Sequence, residues 1–367
     1  MKNLKLQNTI LITIFTAIFL VTCYHYFLEN LDYVDYLKQI HTVETENKNS
    51  KTQLNKFEEI SSKLTPIFKS NYISNDGSVE FKRKNDGTVD LTGASNDVVD
   101  AYSKLKFFYN IEKFEKKIYS QYGDDGAIEY IFSNLGTTNK FYVEFGTENA
   151  QECNTRALWE YYGWNGILMD GDGVSLDERK IYNHFITREN IVELFKKYNV
   201  PKDLDLLSID INYNDWFIFE TILEAGYTPM LIIVEMNRNF NADQSFTVRY
   251  NKDYSLKCCN YHFGFSILAG SRLANRFGYH LIYEEKQGVN SYYINVHYVK
   301  TWLKKVFDID LTLFQVKSLL PTFEYIFRPS VAIHTSSLNQ FQTDFQRGKS
   351  EGLWWEVKED GTVDEKN

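Results

Sequence analysis

The stretch FYVEFGTENAQECNTRALWEYYGWNGILMD, which runs from Phe141 to Asp170, decides the fold that this sequence predicts. Its first five residues form an apolar run that carries one acid, Glu144, and Gly146 ends that run. A helical pattern from Ala150 to Tyr161 follows, and a second apolar run ends on Asp170. Strand, turn, helix and strand, ending on an acid, is the order of a nucleotide-binding βαβ unit.

The loop after the first strand indicates which class of ligand such a unit would bind. Asp170 follows Gly146 at close to the spacing of about 20 residues expected of a carboxylate that binds a ribose. The loop sequence GTENA has a single glycine, Gly146, and its acid, Glu148, would repel a phosphate. These residues favour a ligand with a ribose and a positive charge over one with a pyrophosphate. S-adenosylmethionine is the common ligand of that kind.

The rest of the chain predicts a sheet that is mostly parallel. Leu204–Asp210 and Met230–Met236 are nearly continuous apolar runs separated by a helical pattern, as expected of parallel strands buried on both faces. Tyr279–Glu284 and Ser291–Val296 alternate in polarity and are joined so closely that they must pair antiparallel. The sequence therefore predicts an α/β fold whose parallel sheet closes with an antiparallel pair, the topology of class I methyltransferases.

Polar residues gather where these strands end, and they are the candidate site residues: Glu144, Asp170, Asp210, Glu235 and Asn237. Open α/β sheets bind ligands at the carboxyl ends of their strands. We expect Glu235 and Asn237 to bind substrate or to close the strand end. Asp210 is compatible with three roles, as a general base, a metal ligand or a helix cap.

Charge and cysteine content exclude two classes of function. The net charge of −9 argues against a nucleic-acid surface, which needs a basic face. The four cysteines, Cys23, Cys153, Cys258 and Cys259, show neither a CxxC motif nor zinc spacing, so no metal site is predicted from them. His262 precedes a helix in a polar loop, and we regard it as a second candidate general base.

The N-terminus predicts a membrane anchor. Ile10–Leu28 is apolar and close to the length of about 20 residues that a helix needs to cross a bilayer. Lys2 and Lys5 precede it and acids follow it, which predicts a cytosolic N-terminus and a type II, single-pass protein. A cleaved signal peptide is the competing interpretation, although the apolar run exceeds the usual core of such peptides.

The chain divides into seven predicted regions. They are a cytosolic N-terminus (1–9), a transmembrane signal anchor (10–28), a partly helical stalk (29–70), an accessory hairpin and helix (71–119), the α/β domain (120–300), a C-terminal extension (301–346) and a disordered tail (347–367). The stalk is compatible with weak self-association or with a solvated spacer. The tail is charged and contains glycine, which is typical of disorder.

Several short motifs, in this order, resemble the FkbM-type methyltransferase-like family. They are QYGDDG, VEFGTENAQECNTR, GWNGILMDGD, ENIVELFKKYNVP, DLLSIDINYNDWFIFETI, VEMN and HFGFSILAGSRLANRFGYHLI. The resemblance covers roughly Ser120 to Val296. Similar domains occur in animal membrane proteins of type II topology, including the insect Star protein.

The resemblance implies a Rossmann-like class I methyltransferase fold with S-adenosylmethionine as its cofactor. It also implies that Glu144 and Gly146 hold the methionine end of the cofactor, that Asp170 accepts from the ribose hydroxyls and that Asp210 faces the transferred methyl group. Relatives often read IDIDGND where this chain reads IDINYND, from Ile209 to Asp215, so the chain has lost an acid and a glycine.

Two functions from different classes follow. The first is S-adenosylmethionine-dependent O-methylation of a glycan or a lipid-linked hydroxyl, with Asp210 or His262 as the base. The second is a catalytically inactive protein of the same fold that serves as a binding or trafficking factor in the secretory pathway. In both, the predicted location is the membrane of the endoplasmic reticulum or the Golgi, and the acceptor or protein partner is unknown.

Overall fold

A computed structural model describes residues 81–173, 180–254, 262–327 and 335–365. The predicted transmembrane segment Ile10–Leu28, the stalk, and three cysteines (Cys23, Cys258 and Cys259) lie outside these ranges. Within them, no helix combines the length and the apolar character that a membrane crossing requires. The prediction of an anchor therefore stays a prediction.

The described residues form a seven-stranded sheet and a separate two-stranded sheet. The strands are β1 Phe141–Phe145, β2 Asn165–Asp170, β3 Ile181–Asn183, β4 Leu206–Ile209, β5 Leu231–Glu235, β6 Phe246–Val248, β7 Tyr279–Glu284, β8 Asn290–Asn295 and β9 Trp354–Glu356. The large sheet has the order β3-β2-β1-β4-β5-β8-β7. Its first five strands pair in parallel, whereas β8 pairs antiparallel with both β5 and β7. The predicted α/β fold with a mostly parallel sheet and an antiparallel closing pair is confirmed.

Helices connect and flank these strands. They are α1 Asn96–Leu105, α2 Asp124–Leu135, α3 Arg156–Tyr161, α4 Ile191–Lys197, α5 Asp215–Glu224, α6 Ile267–Arg276, α7 Val296–Phe307, α8 Leu313–Leu319, α9 Phe323–Ile326 and α10 Thr335–Ser350. A 3₁₀ helix, Lys106–Phe114, continues α1. The helix predicted to begin at Ala150 begins instead at Arg156, because the intervening residues form a loop that closes on Glu144.

The central strands lie in the core and place the site. All four residues of β4 and the first four of β5 are buried, as their unbroken apolar sequences require of strands covered on both faces. Helix α5 follows β4 and buries Trp216, Phe217, Ile218 and Phe219 completely, so it is apolar around most of its circumference. The carboxyl ends of the paired strands β4 and β5 are therefore held by a closely packed core.

The accessory region and the C-terminal extension pack into one core. Arg83 pairs with Val89 across the predicted turn, and the Arg83 guanidinium donates to the carbonyl oxygens of Ser318 and Leu320. Buried residues of α1, α7 and α8 belong to the same apolar cluster. The two predicted regions 71–119 and 301–346 therefore support each other.

The segment predicted as a disordered tail contains an ordered strand. β9 pairs antiparallel with β6, and Trp354 of β9 packs against Phe240 and Phe345. These residues belong to a cluster that we call the C-terminal aromatic cluster. Its buried members are Tyr213, Phe240, Phe246, Val248, Phe341, Phe345 and Trp354. The charged composition of the tail hides this role. Burial of Trp354 against other aromatic rings stabilises this short strand, together with its pairing to β6.

Candidate functional site

Four parallel strands bring their carboxyl ends to one edge of the sheet. Because β1, β2, β4 and β5 run in the same direction, Gly146, Asp170, Asp210 and Glu235 all come to that edge. The edge carries several acids and lies where an open α/β sheet binds its ligands. It is the candidate site.

Gly146 allows the ends of β1 and β4 to meet. Its φ angle is +70°, and a Cβ atom added there would lie 1.5 Å from the carbonyl oxygen of Asp210. Its amide donates to the carbonyl oxygen of Met169 at the end of β2 (3.1 Å). Only glycine fits this position, because any side chain would push Asp210 out of place.

The loop after Gly146 keeps a left-handed backbone without glycine. Glu148 has a φ angle of +45° and Ala150 has one of +59°, so residues 146, 148 and 150 are all left-handed. A glycine-rich nucleotide loop would place glycines at such positions, where they carry no steric penalty. The loop therefore adopts a left-handed backbone at two positions, Glu148 and Ala150, where its sequence has no glycine.

Asp170 lies at the end of β2 and orients this loop. Its Oδ2 accepts from the amide of Glu148 (2.9 Å), and its Oδ1 accepts from the amide of Asp172 (2.8 Å). The side chain is partly exposed. Since each carboxylate oxygen has two lone pairs, Asp170 can still accept from the hydroxyls of a ligand.

Glu144, by contrast, is saturated by donors from the protein. Its Oε2 accepts from the Cys153 thiol (2.8 Å) and from the amide and hydroxyl of Thr155 (3.0 and 2.6 Å), and its Oε1 accepts from the Asn154 amide (2.7 Å). Burial raises the pKa of the Glu144 carboxyl, while these hydrogen bonds oppose that shift. Glu144 therefore fastens the loop before α3 rather than opening into the site.

Cys153 is not set up as a nucleophile. Its burial raises the pKa of the thiol well above the ordinary value, and the negative charge of Glu144 raises it further. A thiol with a raised pKa remains protonated and unreactive at neutral pH. Its part in the structure is to donate to Glu144.

Three acids meet at the ends of β4 and β5, and we call Asp210, Asp215 and Glu235 the carboxyl triad. One oxygen from each lies within 4.8 Å of the other two. Asp210 and Glu235 are hydrogen-bonded to each other. Asp215 is completely buried, whereas Asp210 and Glu235 are partly exposed, so the triad is open on one side.

The carboxyl triad is short of hydrogen-bond donors. Asp215 Oδ1 accepts from the Ile211 amide (2.7 Å), but its buried Oδ2 has no partner. The buried Oε2 of Glu235 also has none. A buried polar atom without a partner loses free energy relative to water, on the order of 1–3 kcal/mol. A ligand, an ion or a water that completes the atom is one explanation for such an atom in a native protein, and a catalytic role is another.

Electrostatics at the triad are dominated by burial and by like charges. Burial raises the pKa values of Asp210, Asp215 and Glu235, and for each of them a neighbouring carboxylate raises the pKa further. Asp210 also feels the negative charges of Glu144 and Asp124. The site therefore favours a positively charged ligand and disfavours phosphate.

Asp124 is a further acid whose negative charge acts on Asp210. In the sequence it stands out only as part of the motif QYGDDG. Its Oδ1 accepts from the Tyr292 hydroxyl (2.5 Å) and from the Asn290 amide (3.1 Å), while its buried Oδ2 has no partner. Burial raises the pKa of Asp124 to about 6. The paired acids Asp124 and Asp125 in the first turn of α2 were the available signal.

Two further candidates hold loops together. Asn237 is buried and donates from Nδ2 to the carbonyl oxygen of Phe263, and its Oδ1 accepts from Asn239. His262 contacts the ring of Trp354 in the C-terminal aromatic cluster, and its Nε2 lies 3.0 Å from the carbonyl oxygen of Leu353. Of the candidate residues predicted from the sequence, Asp210 and Glu235 lie together in one cluster. Asn237 and His262 instead make hydrogen bonds to the backbone of neighbouring loops.

No protein-family model, curated protein or solved structure matches this chain. A function must therefore be inferred from the chemistry of the site and from the topology that builds it. The two features with the most chemical content are the partly exposed acid at the end of β2 and the carboxyl triad at the ends of β4 and β5.

Proposed function

We propose that this chain is a membrane-anchored, FkbM-type methyltransferase-like protein that binds S-adenosylmethionine. The proposed reaction is transfer of a methyl group to a hydroxyl of a glycan or lipid-linked acceptor, on the lumenal side of the endoplasmic reticulum or Golgi membrane. The observation that carries the proposal is the strand order β3-β2-β1-β4-β5-β8-β7 with β8 antiparallel. It supports a Rossmann-like class I methyltransferase fold.

The residues at the sheet edge fit such a cofactor. Asp170 keeps free lone pairs at the end of β2, where a carboxylate would accept from two ribose hydroxyls. Gly146 serves this site by letting the end of β1 pack against the backbone of Asp210 at the end of β4. The acids around Asp210 favour the positive charge of a sulfonium and an ammonium group over the negative charge of a phosphate.

S-adenosylmethionine, when bound, supplies a methyl group on a positively charged sulfur. Asp210 would accept the proton of the acceptor hydroxyl as the new carbon–oxygen bond forms and the carbon–sulfur bond breaks. Burial and neighbouring acids raise the pKa of Asp210 above that of an ordinary aspartate, which makes it a stronger base. His262 remains the second candidate base.

A catalytically inactive binding or trafficking factor is the second candidate. Two observations favour it. Glu144, which the family resemblance assigns to the cofactor, is saturated by protein donors. Tyr213 stands where relatives often have glycine, and its buried ring stacks on Tyr254 (3.6 Å between centroids). A glycine there would leave the backbone open to a ligand, whereas the tyrosine covers it.

Titration calorimetry of the purified full-length chain with S-adenosylmethionine distinguishes the two. We expect Asp170→Ala to weaken binding about 10- to 100-fold, since charge-assisted hydrogen bonds contribute roughly 1.5–3 kcal/mol and each 1.4 kcal/mol is tenfold. Asp172→Ala is the matched control, because Asp172 is exposed and uses its backbone amide to contact Asp170. Equal weakening by both variants would contradict the role of Asp170.

Asp210→Asn separates binding from chemistry. We expect it to keep nearly the wild-type affinity for the cofactor while abolishing transfer to the acceptor, because the amide cannot take a proton. A folded wild-type chain that shows no binding at millimolar cofactor would end the enzyme hypothesis and favour the binding factor.

A further inference from the structure

We propose that the carboxyl triad, Asp210, Asp215 and Glu235, binds a single divalent cation. The sequence allows a metal-ligand role for Asp210 and predicts that Asp210 and Glu235 reach one sheet edge, but it gives no sign that Asp215 joins them. The inference goes beyond cofactor binding and does not depend on it. It concerns a second ligand at the ends of β4 and β5, whereas the hydrogen bonds proposed for the ribose of the cofactor lie at Asp170, at the end of β2.

The spacing of the triad fits one cation. One oxygen from each carboxyl group lies within 4.8 Å of the other two. Ligands on opposite sides of one ion are about 4.2 Å apart for Mg²⁺ and about 4.6–5.2 Å apart for Ca²⁺, which is twice the metal–oxygen distance. Adjacent ligands are closer still. All three acids can therefore reach one ion with small side-chain adjustments.

Unused oxygens are the independent sign of a missing ligand. Asp215 is 0% exposed, and its Oδ2 has no hydrogen-bond partner. The buried Oε2 of Glu235 is in the same state. Three carboxyl groups this close also repel one another when they are ionised, and the neighbouring charges that act on Asp210 are all negative, those of Glu144, Asp124 and Glu148. A divalent cation would both satisfy the free oxygens and neutralise the repulsion.

The donor set indicates the kind of ion. Three carboxylates with no sulfur or imidazole among them suit hard cations such as Mg²⁺, Mn²⁺ or Ca²⁺, whereas zinc sites usually use cysteine or histidine. Asp215 lies at the buried base, and Asp210 and Glu235 are partly exposed. The ion would thus keep coordination positions toward solvent, where an oxygen-bearing molecule can bind.

Those open positions suggest a use in the proposed reaction, and this step alone rests on the proposed function. An acceptor hydroxyl bound to the ion would lose its proton more readily to solvent water at the open side of the triad, because a divalent cation stabilises the alkoxide. In that arrangement Asp210 would hold the ion that positions the acceptor, and this role would replace the one proposed above, in which Asp210 itself takes the proton. The substrate class would then be an acceptor with at least one hydroxyl free to coordinate.

The test is metal binding by the full-length chain after treatment with EDTA and dialysis. Mg²⁺, Mn²⁺ and Ca²⁺ are titrated separately by calorimetry, and thermal unfolding is followed with and without each ion. We expect at least one ion to bind with a stoichiometry of one and to raise the melting temperature by about 3–8 °C at saturation. Asp215→Asn and Glu235→Gln should each reduce that rise to less than a third, while Asp243→Asn, at an exposed turn, should keep it in full.

The outcomes separate this inference from the proposed function. No heat and no thermal shift with 10 mM of any of the three ions would overturn the inference, as would shifts that survive in both triad variants. Cofactor binding without metal binding would leave the proposed function standing and end the cation site. Metal binding without cofactor binding would do the reverse.

Discussion

Glu144 and the carboxyl triad lie at the ends of neighbouring strands and differ in how many hydrogen bonds their oxygens accept. Glu144 at the end of β1 accepts from four donors, all supplied by the loop that follows it. In the carboxyl triad at the ends of β4 and β5, Asp215 Oδ1 accepts from the Ile211 amide, but Asp215 Oδ2 and Glu235 Oε2 have no hydrogen-bond partner among the described residues. The edge therefore has one saturated half and one unsaturated half.

The contrast separates a structural acid from an acid kept for a ligand. A buried carboxylate with a full set of donors stabilises the segment that supplies those donors, and it has little capacity left for anything else. A buried carboxylate without donors destabilises the fold unless a proton or a cation joins it. Burial and an acidic residue type are common to both halves, so hydrogen-bond satisfaction is the property that distinguishes them.

The largest expected effect breaks the saturated half. Glu144→Gln should destabilise the fold by about 2–4 kcal/mol, because the NH2 group of glutamine would replace one carboxylate oxygen and face either the Asn154 amide or the Thr155 amide, which also donates. The free energy of unfolding in urea measures this change. Asp215→Asn is the matched substitution in the other half, where the same loss of charge removes repulsion and Ile211 keeps an acceptor.

We expect Asp215→Asn, in the presence of EDTA, to leave the free energy of unfolding unchanged or to increase it by about 1 kcal/mol. Opposite signs for the two substitutions would support the contrast between the halves. A similar loss of stability in both would contradict it, since Asp215 would then be as structural as Glu144.

The strands were predictable because their signal is local. DLLSID and MLIIVEM are continuous apolar runs, and such runs indicate parallel strands without any knowledge of their partners. Parallel strands in turn bring Asp170, Asp210 and Glu235 to one edge. The fold and the location of the candidate site both follow from this reasoning.

The number of hydrogen bonds that each acid accepts was not predictable from the sequence, because it depends on contacts made by the folded chain. Glu144 reads as a strand-end acid like Asp210, and only the path of the loop to Thr155 shows that it is saturated. Asp215 reads as the start of a helix, and the turn at Asn212, whose φ angle is +66°, lies between it and Asp210. Trp354 is ordered by a strand about 100 residues away, which composition cannot reveal.

The next effect tests whether a missing partner alone marks a ligand site. His280 on β7 donates from Nε2 to the carbonyl oxygen of Pro321 (2.8 Å), and its buried Nδ1 has no partner, yet it lies outside the acidic edge. Burial lowers the pKa of His280 to about 3, helped by the positive charges of Lys317 and Arg83. We therefore expect it to affect stability without binding a metal.

The direction of the pH effect follows from the lowered pKa. The unfolded chain takes up a proton at His280 below about pH 6.5 while the folded chain does not, so stability falls as the pH falls from about 6.5 toward 3. Between pH 6.5 and 5 the loss at this site should be about 1.5 kcal/mol. Comparison of wild type with His280→Gln isolates it, and exposed His297→Gln is the control. Identical pH profiles for wild type and His280→Gln would refute the assignment.

The smallest expected effect sharpens the description of the loop that the saturated half holds in place. Glu148 is exposed and left-handed, so its side chain adds strain and little packing. Glu148→Gly should increase the free energy of unfolding by about 0.5–1 kcal/mol, because glycine carries no Cβ penalty at this φ angle. Ala150→Gly should gain less, since Ala150 is also left-handed but buries its methyl group completely. A loss of stability in Glu148→Gly, measured by urea unfolding, would mean that the loop is not held in the left-handed form.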